Sequence, residues 1–115
     1  MSEYTGDEMV RIMAALSNPH RMRVVATLVR GATYVSQLAR ELEISRPLLQ
    51  VHLRRLEAAG LVTSELQISE EGKAMKFYSV QPFALQLNPE TIAHGANSLT
   101  LPDAEKHAEK GVDHE

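Results

Sequence analysis

Apolar residues return at helical spacing in four successive segments and then change to a strand-like rhythm. In DEMVRIMAAL, residues 7–16, Met9, Ile12, Met13 and Leu16 stand at i, i+3, i+4 and i+7, one face of a helix. Asp7 and Glu8 lie in its first turn, where carboxylates suit the helix dipole. In SNPHRMRVVATLVRG, Asn18 is a capping residue, Pro19 suits the first helical position and Gly31 ends the helix. Met22, Val25, Leu28 and Val29 are the stripe it is expected to bury. YVSQLARELEIS predicts a short helix with Val35, Leu38, Ala39 and Leu42 on one side, followed by a brief turn. Ser45 then caps a fourth helix with Pro47 in its first turn. Leu49, Leu53 and Leu56 face the core, and Gly60 stops the helix.

Beyond Gly60 the rhythm changes. LVTSELQIS and AMKFYSV read as two strands of about seven residues each, joined by SEEGK with Gly72 at the turn. Phe83, Leu85 and Leu87 alternate along an extended stretch, and Asn88–Pro89 starts a further short helix. From about residue 96 the chain is polar and acidic, and a disordered tail is expected over 96–115. The expected fold is mainly α with a small β-hairpin. Helix, turn, helix and hairpin in that order is a winged helix-turn-helix, here covering residues 1–95.

Composition narrows the class. Aromatic residues are only 4% of the chain, so the core must be aliphatic. There is no cysteine, which excludes disulfides and thiolate metal sites in this chain. No apolar run approaches the roughly 20 residues of a membrane span, and the acidic start MSEYTGDEMV does not resemble a secretory signal. A cytoplasmic protein without membrane contact is expected. No phosphate-cradling glycine loop, nucleophile elbow or His-Glu-x-x-His motif occurs, so no enzyme is expected and no cofactor.

The net charge of −3 argues at first against nucleic acid. It is unevenly spread, however. Residues 17–80 carry nine Lys/Arg against six Asp/Glu, while residues 81–115 carry two against six. Screening limits the reach of surface charge to about 8 Å at physiological salt, so the basic middle counts for more than the total.

Three stretches carry a family resemblance. ALSNPHRMRVVATL (15–28) resembles ALSDPTRLRIL of the ArsR family of winged-helix transcriptional repressors. ISRPLLQVHLRRLEAAGLV (44–62) resembles its recognition helix SQSTVSHHLRLLREAGLV, and EGKAMKFYSV (71–80) its wing strand DGRWVYYRL. The likeness covers roughly residues 8–82. It implies a homodimer on a palindromic operator in double-stranded DNA. It also implies a dimer interface built by the first helix with C-terminal residues, for which Met9, Ile12, Met13, Leu16, Phe83, Leu85, Leu87 and Ile92 are the candidates.

The recognition helix can be read residue by residue. Leu49, Leu53 and Leu56 project to one side, and Pro47, Gln50, Val51 and Arg54 to the other. Arg46 can donate two hydrogen bonds to guanine, Gln50 can pair with adenine, and Val51 can touch a thymine methyl. Arg54, Arg55, Lys73 and Lys76 suit phosphates, as do Ser45 and Gln37 near helix starts. The bland alternative for these charges is a solvated helix face, and the helix-turn-helix spacing with a basic wing favours DNA. Two features depart from the family. Gln50-Val51-His52 replaces Ser-His-His, and Glu70 and Glu71 at the wing tip oppose phosphate. His52 lies toward the inner side and reads as a packed histidine.

Many relatives bind a soft metal through Cys-Val-Cys before the reader helix. Tyr34 and Ser36 occupy those cysteine positions here, so that site is absent. Asp103, His107, Asp113, His114 and His94 have no spacing that makes a zinc site, and no metal is expected. A small-molecule or protein effector is left open. The rival reading is a protein-interaction module built on the same winged helix without direct DNA readout.

Overall fold

A computed structural model of the chain describes residues 4–101. It holds α1 (Gly6–Leu16), α2 (Pro19–Leu28), β1 (Thr33–Tyr34), α3 (Val35–Leu42), α4 (Arg46–Ala58), β2 (Val62–Ile68), β3 (Ala74–Val80) and α5 (Pro89–Ala96). The order of the helices and the seven-residue hairpin strands are those expected. Two compact units divide the chain: one spans 11–84, and the other, among the described residues, takes 4–10 and 85–101.

Within 11–84, the helix starts follow local chemistry. Asn18 accepts from the backbone N–H groups of His20 and Arg21, and Pro19 fills the position where no N–H is needed. Ser45 Oγ accepts from Leu48 N–H at 3.3 Å, a cap worth about 1 kcal/mol. Gly60 ends α4 with φ of +78° and Gly72 makes the wing turn with φ of +85°.

The core is aliphatic. Leu49, Leu53 and Leu56 of α4 lose all their exposure and meet Val24, Leu28, Leu38, Ala39 and Leu42 in the buried set. Each buried leucine or valine contributes about 1.5–3 kcal/mol. The expected stripe of α2 is displaced: Val24 and Leu28 are buried, whereas Met22 and Val29 are 61% and 67% exposed. Arg21 rather than Met22 heads the inward face, because its Nε donates to the Ala15 carbonyl oxygen at 2.6 Å.

The sheet has the order β1-β3-β2 and is antiparallel throughout. β1 was not anticipated, since two residues carry no periodicity. Its Thr33 pairs with Tyr78 and its Tyr34 with Phe77. Tyr34 and Phe77 meet edge to face at 5.4 Å between ring centres. Tyr78, paired also with Ser64, turns to the other face and is buried beside Leu61 and Val62.

In the second unit, Asn88 and Thr91 form a reciprocal capping box at the start of α5. Gly6 N–H donates to Ser98 Oγ at 2.8 Å, and Thr100 N–H donates to Asp7 Oδ1 at 2.9 Å. Residues 102–115, which hold most of the expected tail, lie outside the described residues.

Candidate nucleic-acid interface

The helix-turn-helix is α3, a three-residue turn and α4. Glu43 closes α3 in the left-handed conformation (φ 58°, ψ 44°), which lets Ile44 N–H reach Ala39 O at 3.2 Å. Chain direction reverses there, and Ser45 starts α4. With its leucines buried behind it, α4 presents Arg46, Pro47, Val51, Arg54 and Arg55 to solvent, with Gln50 half-buried. Leu48 joins them, partly exposed near the N-terminus, which the projection did not single out.

The charge that α4 shows to solvent is uncompensated. Arg46, Arg54 and Arg55 have no ion pair among the described residues. Glu57, the one carboxylate of α4, accepts from Ser64 Oγ at 3.2 Å and is drawn toward β2. Arg55 lies apart from Arg46, Val51 and Arg54. It lines a cavity of about 320 Å³ with Arg11, Ala14, Ala15, Ala58 and Ala59. Gln37 is engaged on α3, donating to Glu41 Oε2 at 2.9 Å and accepting from Arg40. Glu41 is also paired with Arg30 at 3.4 Å.

In the wing, Lys73 is exposed at the turn and its backbone N–H donates to Ser69 Oγ at 3.0 Å. Lys76 pairs with Leu66 across the strands and holds its ammonium 6.0 Å from the Tyr78 ring centre, within reach of a cation–π attraction. Leu66 and Ile68 lie on that same face of the hairpin and are about two-thirds exposed. Glu70 and Glu71 remain exposed at the tip.

His52, also on α4, is 6% exposed and buried. Its Nδ1 lies 3.2 Å from Arg21 Nη1. Desolvation by burial lowers its pKa from the usual value, and the charges of Arg21, His20 and Arg55 lower it further.

The residues expected at a dimer interface divide by exposure. Met9 and Ile12 are buried within the single chain. Met13, Leu16, Phe83 and Leu85 are half-buried, and Leu87 and Ile92 are exposed. Val10 and Leu99, which periodicity did not point to, are exposed as well. His94 sits on α5, and the other four residues weighed as metal ligands lie outside the described residues. Among the described residues no helix is long and apolar enough to cross a membrane.

Residues 16–65 match a helix-turn-helix domain family. The chain is 38% identical over 85 residues to an uncharacterised HTH-type transcriptional regulator of Methanocaldococcus jannaschii, covering 74% of this chain and 88% of that one. It is 31% identical over 68 residues to the biofilm growth-associated repressor of Xylella fastidiosa, covering 59% and 60% of the two chains. In structure it is similar to the homodimeric winged helix-turn-helix DNA-binding domain of a possible ArsR-family transcriptional regulator from Mycobacterium bovis. The TM-score is 0.54 at 18% identity, over 95% of this chain and 85% of the other, and the likeness speaks for the fold.

Proposed function

The chain belongs to the HTH-type transcriptional regulators, and we propose that it is an ArsR-like winged helix that represses transcription as a homodimer on a palindromic duplex. One observation carries this reading. The outward face of α4 holds Arg46, Val51 and Arg54 in solvent with no ion pair among the described residues, while its one carboxylate is turned to Ser64. An unpaired cationic helix face of this width fits the major groove.

Arg46, at the N-terminal turn, reads a guanine, Gln50 an adenine and Val51 a thymine methyl, while Pro47 keeps the helix start close to the bases. Arg54, Lys73 and the free O–H of Ser45 hold phosphates. Lys76 and Arg55 contribute at longer range, one beside Tyr78 and the other beside Arg11. The dimer surface uses the apolar side chains left open: Val10, Leu87, Ile92 and Leu99. Met13, Leu16, Phe83 and Leu85 are half-buried and add to it, while Met9 and Ile12 are buried in the single chain. The protein acts by binding and performs no catalysis.

The rival reading draws on the exposed Leu66 and Ile68 and the acidic wing tip, which suit a protein partner. Fluorescence anisotropy separates the two. A duplex from upstream of the chain's own coding sequence is compared with a shuffled duplex across a salt series. DNA reading predicts sequence-selective binding with a steep salt slope. Absence of binding at low salt would place the protein-interaction module first.

A further inference from the structure

Two buried nitrogens, His52 Nε2 and His20 Nδ1, have no hydrogen-bond partner, although the rings lie 5.3 Å apart. Buried polar atoms in native folds are nearly always satisfied, so an orphaned pair calls for an explanation. It starts at the other side of the His52 ring. A guanidinium has only donors, so Arg21 Nη1 donates and His52 Nδ1 must accept. The proton of the neutral ring is therefore on Nε2. The Nε2–H of neutral His52 is thus a buried donor on a ring beside that of His20, whose Nδ1 is also without a partner.

Arg21 is itself held on three sides. Its backbone N–H donates to the Asn18 cap at 3.2 Å, its Nε to the α1 carbonyl of Ala15, and its Nη1 to the ring on α4. It thus ties α1, α2 and α4 together at one point. We propose that Arg21 is a positioning residue that locks His52 in the Nε2–H tautomer, and that the reader helix stays docked only while His52 is neutral. A proton on Nδ1 would face the guanidinium donor to donor. The groups acting on that ring are Arg21 and His20 of α2 and Arg55 of α4, with no carboxylate among them. A charged His52 has no counter-ion to accept its new proton, so α4 gives up this contact and DNA is released in acid.

The release of DNA rests on α4 being the reader; the lock does not. The test therefore has two independent arms on the full chain. Long-range imidazole ¹H–¹⁵N spectra at about pH 8 report the tautomer, and a titration follows it downward. The Nε2–H form is expected, with protonation below the ordinary histidine value of about 6.5. An Nδ1–H tautomer, or titration at or above that value, overturns the lock.

Amide hydrogen exchange then reads α4. After correction for intrinsic rates, exchange should accelerate as His52 takes its proton; unchanged exchange overturns the release. His52→Asn keeps an acceptor oxygen near the Nδ1 position and cannot be protonated, so its exchange should lose the acid step. Should that variant fail to fold, the wild-type spectra and exchange still decide. On the duplex from upstream of the coding sequence, wild-type affinity should fall by up to about tenfold per pH unit below the pH at which folded His52 takes its proton, for one linked proton. A flat profile with measurable binding at about pH 8 overturns the release, whereas no binding at about pH 8 overturns the DNA reading and leaves the lock to the spectra.

Discussion

Gly6 in the first turn of α1 and Gly95 in α5 approach so closely that a side chain on Gly6 would collide with the Gly95 carbonyl oxygen. The same glycine donates its N–H to Ser98 Oγ, so the two backbones are held by hydrogen bonding as well as by shape. Gly6→Ala should destabilise this unit by about 1–3 kcal/mol, because the obstacle is backbone that cannot swing aside. Gly95→Ala is the contrasting case. Its new methyl would meet the flexible Sδ of Met9, and a helix interior gains about 1 kcal/mol from alanine. Urea denaturation should show a clear loss for the first and a much smaller change for the second.

Base reading and phosphate holding are separable in the DNA complex. Arg46→Ala should relax preference at one base position, losing about 1–3 kcal/mol of discrimination there. Lys73→Ala should weaken every duplex about equally and lower the salt slope by about 1. Anisotropy on a set of single-position duplex variants measures both. If neither substitution changes binding, α4 and the wing do not form the interface.

The lowered pKa of His52 fixes the sign of a pH effect on stability. The unfolded chain takes the proton near the ordinary value of about 6.5 while the folded chain resists it. This contribution is whole above about pH 6.5 and is lost as the pH falls from there through the folded value. The urea midpoint of the wild type should drop over that window. His52→Asn should remove the part of the drop that belongs to this ring.

The turn before α4 stores a small, removable strain. Glu43 holds φ of 58°, a conformation glycine adopts without penalty. Glu43→Gly should stabilise the fold by about 1 kcal/mol, read as a raised thermal midpoint, with base preference unchanged. Leu53→Ala, behind the reader face and fully buried, should cost about 2–5 kcal/mol.

The chain's own pattern determined most of the architecture. Asn18-Pro19, Ser45 and Asn88-Pro89 start helices where they stand, because a side-chain oxygen and a missing N–H act over three residues. Leu49, Leu53 and Leu56 face the core because their i, i+4, i+7 spacing makes an unbroken leucine stripe, whereas Leu48 and Val51 stand among the arginines. In α2 the pattern was ambiguous. Val24 and Val25 are both apolar, and the face carrying Val24 and Leu28 is the one buried, with Arg21 tied to Ala15. The strand β1 exists because β3 offers a free edge to Thr33 and Tyr34, which have no rhythm of their own. The close approach of Gly6 to Gly95 and the meeting of Arg21, His20 and His52 join residues 89, 31 and 32 positions apart in the chain, as numbered. Spacing rules describe neighbours within one helix or strand. Contacts between elements are decided by packing, and there the tertiary structure has the deciding part.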